Sequence, residues 1–231
     1  MRHGKLRELC ERMFDLLAAP NCCLCACPSG GGPLCAACAA ALPRHVLPCC
    51  PCCALPTPKG ELCGACLAAS PAFDATRAAF EYVFPVDALI QAFKYRHRLS
   101  LGVFFTAALA ALPMGEVDLI VPMPLHPRRL ARRGFNQAVE IARPLARAMG
   151  CALELSAVAR VRDTPAQASL DHDARLTNLR GAFACNRRFD GARVAVVDDV
   201  MTTGASLDAL ARCLKASGAA WVENWVLARR C

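Results

Sequence analysis

No stretch of the chain approaches the ~20 consecutive apolar residues of a membrane span, although hydrophobic residues make up 55% of its 231 positions. Alanine and cysteine inflate that fraction. Nor does the N-terminal segment read as a secretory leader. Met1 to Pro20 carries Arg2, Lys5, Arg7, Glu8, Glu11, Arg12 and Asp15, too much charge for the apolar centre of a signal peptide. The same segment spaces Leu6, Leu9, Met13, Leu16 and Leu17 along one face of an amphipathic helix, expected over residues 1–20. These absences lead to the expectation of a cytoplasmic protein with no membrane span. The length is enough for a sizeable core, in one domain or two.

The charge is not balanced. The net formal charge is +8, and residues 91–147 contribute most of it, with nine basic and three acidic positions. A local basic surface suits an anionic partner: a phosphate ligand, pyrophosphate or nucleic acid. A solvated charged face explains the same count equally well.

Of the 17 cysteines, 13 lie within residues 1–66. A short secreted chain with that density would be disulfide-linked. An odd count in a longer chain without a leader points to reduced, metal-binding thiols. Cys22-x2-Cys25-x9-Cys35-x2-Cys38 is followed, 28 residues on, by Cys50-x2-Cys53-x9-Cys63-x2-Cys66. The flanks repeat as well, Leu34 to Ala41 against Leu62 to Ala69. The other cysteines fail this register: Cys23 aligns with Pro51, Cys27 with Leu55, Cys49 with Asn21 and Cys52 with Leu24. Eight ligands and two structural zinc ions follow, because two Cys-x2-Cys knuckles complete a closed tetrahedral site. A segment this short, with few large aliphatic residues, cannot build a core without such a staple. Buried reduced thiols, knuckles interleaved between repeats and iron–sulfur ligation are the other readings of these residues. Ser70-Pro71 closes the cysteine-rich part, giving a division into residues 1–20, 21–70 and 71–231.

Beyond Phe73, helical and strand patterns alternate. Helices are expected over Val86–His97, Leu101–Leu112, Asn136–Met149 and Ala205–Ser217, the last stopped by Gly218. Strands are expected over Val117–Pro122, Leu153–Leu155, Val158–Val161, Arg193–Val197 and Trp221–Ala228. Arg162–Arg180 is polar and irregular, with the composition of a mobile loop plus a helical turn. This alternation predicts an α/β protein with a parallel sheet.

At the end of the apolar run Val194–Val197 stand Asp198 and Asp199, then Thr202, Thr203, Gly204, Ala205 and Ser206. A strand end leading into a helix N-terminus is an anion cradle. Thr202, Thr203 and Ser206 add hydroxyl donors, and Gly204 permits close backbone approach. The paired acids would repel a phosphate on its own. They suit vicinal hydroxyls, bound directly or through a divalent cation. A ribose 5-phosphate offers both parts. The loop has no lysine, which excludes a Walker A site. A receiver-type acidic pocket would not need the Thr-Thr-Gly that follows.

The stretch Val196 to Ser206 resembles the phosphoribosyl diphosphate (PRPP) signature of type I phosphoribosyltransferases. Three further segments narrow the resemblance to the ComF family of competence-associated proteins: Phe93-Lys-Tyr-Arg96; Val121-Pro-Met-Pro-Leu-His126 with Arg132-Arg-Gly-Phe-Asn-Gln137; and Arg162-Asp-Thr-Pro-Ala-Gln167 with Asn178-Leu-Arg-Gly-Ala-Phe183. The duplicated zinc ribbon fits the same family, and the likeness runs from about Leu16 to Arg229. It departs in Cys49-Cys-Pro-Cys-Cys53, which holds more cysteine than the pattern needs. The resemblance implies a type I phosphoribosyltransferase-like sheet flanked by helices behind a double zinc ribbon. It implies PRPP and Mg²⁺ as ligands. Asp198 and Asp199 would face the ribose, and Thr202 to Ser206 would wrap the 5-phosphate. Pro122, Met123, Pro124, Leu125 and His126 would form a pyrophosphate loop, with Lys94, Arg132 and Arg133 as basic partners. Arg162–Gln167 would close over the site. No acceptor and no general base is readable. The family's role in DNA uptake adds a second reading, a module that holds single-stranded DNA through Phe93 to Arg98 by charge and stacking, with DNA-uptake proteins as partners and PRPP as a regulator. A nucleobase phosphoribosyltransferase is the third.

Overall fold

The protein is described here from a computed structural model that covers residues 21–163 and 181–231. Five strands form one parallel sheet: β1 (Ala75–Glu81), β2 (Leu119–Pro122), β3 (Ala152–Leu153), β6 (Arg193–Met201) and β7 (Trp221–Arg229). Their spatial order is β1-β7-β6-β2-β3, and each neighbouring pair is parallel. A separate antiparallel pair joins β4 (Val158–Arg160) to β5 (Phe183–Cys185). The sheet is covered on both faces, so its strands are almost continuously apolar. Successive side chains point to opposite faces. Val194 and Val196 therefore join one core, with Val222, Val226 and helix α7 (Ala205–Ala216). Ala195 and Val197 join the other, with Trp225 and helices α3 (Val86–Tyr95), α4 (Ser100–Ala110) and α6 (Gln137–Met149).

The expected helices and strands in this part occur, with ends displaced by one or two residues. The important difference is β6. It was expected to stop at Val197, but it continues through both acids to Met201, because β7 runs beside it and pairs with Asp198, Val200 and Met201. The backbone ladder holds the strand although the apolar pattern has ended. The sequence reading also omitted β1, β5 and a short helix α5 (Pro127–Arg133). That helix has no apolar face, but its limits are encoded. His126 Nδ1 caps it by accepting from Arg128 N at 3.3 Å, Pro127 opens it, and Gly134 ends it at φ 83°. The N-terminal helix expected over residues 1–20 lies outside the described residues, as does most of the loop Arg162–Arg180. Among the described residues no helix is long and apolar enough to cross a membrane.

The cysteine repeat recurs in the backbone of both copies. Short helices α1 (Ala36–Ala40) and α2 (Gly64–Ala68) start directly after Cys35 and Cys63. Cys22 N donates to Cys27 O at 2.8 Å, and Cys50 N to Leu55 O at 2.7 Å. Ala26 and Ala54 both turn at positive φ, 61° and 57°. A bridge Asn21–Pro28 closes the first hairpin and Cys49–Pro56 the second. The two copies then pack differently. Cys22 and Leu34 join the core of α3, α4 and α6, while Cys50, Cys53 and Cys66 join the core of α7.

Candidate functional site

Cys22, Cys25, Cys35 and Cys38 bring their sulfur atoms within 4.8 Å of one another, and so do Cys50, Cys53, Cys63 and Cys66. Each repeat closes on itself, which settles the pairing against interleaved knuckles. A Zn–S length of about 2.3 Å places tetrahedral sulfurs ~3.8 Å apart. The Cys25–Cys35 and Cys53–Cys63 contacts, 3.7 and 3.5 Å, fit that edge. In each tetrad one thiol is drawn toward the thiolate while others are pushed up, Cys38 by the neighbouring thiols and Cys53 and Cys66 first by burial. Burial pushes the Cys22 thiol up, but the backbone N–H groups of Cys25, Cys35 and Leu24 outweigh it and draw it down to about 6. Burial opposes Cys50 likewise, and the N–H groups of Cys53, Cys63 and Cys52 draw it down to about 7. The three donors are again one repeat apart. The remaining cysteines of the segment do other things. Cys52 donates to Phe73 O at 3.6 Å, and Cys23 accepts from Arg98 at 3.3 Å. Both tetrads could therefore hold a structural zinc ion, with no position left open for chemistry.

The second site lies at the carboxyl end of the sheet, where β6 delivers Asp198 and Asp199. Asp198 Oδ1 accepts from Asp199 N at 2.9 Å. Burial first, and then the neighbouring Asp199 charge, raise the Asp198 carboxyl to about 7. Lys94, at the end of α3, reaches Asp199 Oδ1 with its ammonium at 2.9 Å. Burial alone would lower Lys94, but the charges of Asp199 and Asp198 hold it above its usual value. Past Met201 the chain turns through Thr202, Thr203 and Gly204 into α7, with Gly204 at φ 80° as its N-terminal cap. A Cβ on Gly204 would stand 2.7 Å from Met201 Cε and 3.6 Å from the Phe73 ring. Among the described residues, the backbone N–H groups of Thr202, Thr203 and Gly204 donate to no backbone acceptor. A small cleft of about 50 Å³, lined by Asp198, Thr202, Gly204 and Ser206, opens here.

Beside it, β2 ends at Pro122, which pairs with Val197. The following turn is held by Met123 N donating to Val197 O at 2.8 Å and by Asn136 Nδ2 donating to Met123 O at 3.0 Å. Asn136 also caps α6, accepting from Ala138 N at 3.0 Å. Pro122 and Met123 are buried, and Pro124, Leu125 and His126 are half-buried. Arg133 is turned to Gln137, at 2.7 Å, and lies over the Tyr95 ring. Arg132 is exposed. Three basic groups escaped sequence reading. Arg160 is buried, with its basicity lowered by burial and by the charge of Arg129, while Asp198 and Asp163 oppose that shift. Arg129 bonds Asp163 at 3.3 Å. Arg229 is buried behind the loop. Arg160 stands in a short strand, and Arg129 and Arg229 each sit beside a second arginine, so nothing local tells the one that turns inward.

A larger cavity, about 210 Å³, lies between β1, the end of α4 and the segment around His45. Its charged lining is already engaged: Arg77 with Glu223 at 3.0 Å, His45 Nε2 with Ala54 O at 2.7 Å, and Arg44 over Phe80. The strand-end cleft, with its polar atoms turned outward, is the better candidate.

Residues 131–230 match the family of the phosphoribosyl transferase domain. The fold is the expected one, a type I phosphoribosyltransferase-like parallel sheet flanked by helices behind two cysteine tetrads. DNA utilization protein YhgH of Salmonella typhi is 36% identical over 171 residues, which cover 69% of this chain and 74% of that protein. The protein of the same name in Escherichia coli K12 is 35% identical over 161 residues, covering 64% and 69%. Competence protein F of Haemophilus influenzae is 32% identical over 170 residues, again covering 69% and 74%. A solved allosteric regulatory enzyme of purine biosynthesis overlays 59% of this chain and 29% of its own at a TM-score of 0.40 and 19% identity, a likeness too low to argue from. Identity of 32% or more to competence protein F and 36% to a DNA utilization protein, across 74% of each relative, establishes common descent, and the chain belongs to the ComF family.

Proposed function

We propose that the chain binds PRPP, with Mg²⁺, at the carboxyl end of β6 and acts on it as a phosphoribosyltransferase-like protein in the handling of DNA during uptake. The observation that carries this reading is the joining of an acidic pair to an outward-turned loop on one strand end. Asp198 and Asp199 are placed to accept from ribose hydroxyls, and Thr202 to Ser206 to donate to the 5-phosphate. The turn from Pro122 to His126 is assigned to the pyrophosphate, with Lys94, which pairs with Asp199 at 2.9 Å, as its basic partner. Arg132 and Arg133 stand at lower rank, since one is exposed and the other is committed to Gln137 and Tyr95. Among the described residues Asp198 lines the cleft and Asp199, paired with Lys94, stands beside it, so Mg²⁺ would draw its remaining oxygens from pyrophosphate and water. When bound it supplies charge neutralisation of the leaving pyrophosphate. Residues 21–70 are read as a double zinc ribbon carried on a phosphoribosyltransferase-like body from residue 71. The names of the relatives, DNA utilization protein and competence protein, support a role in the handling of DNA.

Titration calorimetry with PRPP and Mg²⁺ tests the site. The chain carrying both Asp198→Asn and Asp199→Asn is expected to lose at least tenfold in affinity, and unchanged binding would sink the assignment. A turnover screen across nucleobases and DNA then tells a conventional nucleobase transferase from a protein acting in DNA handling.

A binding reading for single-stranded DNA is supported by Tyr95, which is 62% exposed beside the Arg133 guanidinium. Phe93, part of the same expected surface, is fully buried and meets Phe105 and Phe135 edge-on. It is a core residue, so stacking falls to Tyr95.

A further inference from the structure

Arg229, at the last position of β7, is only 3% exposed, yet no carboxylate pairs with it among the described residues. Its guanidinium is spent on backbone carbonyls from three parts of the chain. Nε donates to Cys53 O at 2.8 Å; Nη1 donates to Met201 O at 3.1 Å and also to the carbonyls of Thr202 and Arg230. One cation thus ties the Cys50-x2-Cys53 knuckle of the second repeat to the last residue of β6 and the first residue of the phosphate-type loop. In a trans peptide the N–H points opposite to the preceding C=O. With the Met201 and Thr202 carbonyls drawn to the guanidinium, the N–H groups of Thr202 and Thr203 face away from it, to the open side of the loop. A second strut runs parallel to the first. Cys52 donates to the Phe73 carbonyl, and the Phe73 ring packs at Gly204. Among the described residues the first tetrad has no hydrogen bond to this loop. It joins the core on the other face of the sheet.

We propose that Arg229 is a positioning residue that couples the second four-cysteine site to the phosphate loop. Metal on Cys50, Cys53, Cys63 and Cys66 and PRPP on Thr202 to Ser206 then favour one another, while the first tetrad is independent of the ligand. This rests on the PRPP reading above. The Cys53 carbonyl lies inside the knuckle that the metal closes, so releasing the metal frees one anchor of the guanidinium. Linkage is reciprocal, so the ligand must in turn hold the metal.

The test uses the full-length zinc-loaded chain. Calorimetry with PRPP and Mg²⁺ comes first, and failure to bind there overturns the proposed function rather than the coupling. Chelator-driven zinc release, followed with a metal-sensitive dye, is then measured with and without saturating PRPP. One of the two release phases is expected to slow by about fivefold or more, the lower end of ordinary coupling, and the other to stay unchanged. PRPP slowing both phases alike, or neither, overturns the proposal without any variant. Cys38→Ser, which keeps only the second metal, is expected to retain the slowed phase. Arg229→Met is expected to keep two zinc ions but lose the PRPP effect, with Arg229→Lys intermediate, since one ammonium cannot span the same carbonyls. Undiminished linkage in a folded Arg229→Met chain also overturns it.

Discussion

Asp198 carries the sharpest single-residue consequence. In the folded chain its carboxyl titrates near 7, against 3.8 for a free aspartate, because burial and Asp199 disfavour its charge. The folded state therefore holds a proton that the unfolded chain has already released. Stability falls as pH rises from about 4 to about 7, and the full penalty applies above that. Lys94 relieves part of it. Asp198→Asn removes the charge and is expected to raise Tm at pH 8, without PRPP or Mg²⁺, by about 2–4 °C for each ~1 kcal/mol recovered in a chain of this size. The gain should vanish near pH 4. Thermal melts across that range check it; a variant less stable than the parent at pH 8 would show that Asp198 is held by its hydrogen bond rather than strained by its charge.

Among the elements, the junction of β6 and α7 is the most constrained. Its turn needs a left-handed residue at Gly204, with φ 80°, and leaves no room for a Cβ against Met201. Gly204→Ala is expected to cost about 1–2 kcal/mol, from the left-handed backbone and the displaced methionine. It should also weaken PRPP binding by more than tenfold, because the loop N–H groups must shift. Urea unfolding and calorimetry measure the two effects separately. A variant that binds PRPP normally would mean that the loop does not hold the phosphate. That β6 reaches this junction as a strand was not legible in Asp198-Asp199-Val200. The ladder with β7 extends it, and a ladder partner lies outside any local window. β1 was missed for a related reason, since Ala75-Thr-Arg-Ala-Ala-Phe-Glu81 lacks the β-branched alternation of a strand and is fixed by its pairing with β7.

For the molecule as a whole, the two tetrads staple the chain to opposite faces of the sheet. Metal analysis is expected to find about two zinc ions per chain. The triple variant Cys23→Ser, Cys27→Ser, Cys49→Ser should keep both, since none of the three belongs to a tetrad. Cys50→Ser should lose one. A triple variant with a single zinc would contradict the repeat as the guide to ligands.

What the sequence determined alone were the features written in local spacing: the cysteine register of 28 residues, the apolar strands, the helix stop at Gly218, and the loop from Asp198 to Ser206. Each depends on neighbours a few residues apart, or on a repeat visible by alignment of the chain with itself. Tertiary structure alone decided which cysteines close together, how far β6 runs, and what stands behind the loop. Arg229 meets Met201 from 28 positions away and Cys53 from 176. Contacts at such separations are created by the packing of the sheet, and the pair Arg229-Arg230 at the end of an apolar strand gives no sign of which arginine makes them.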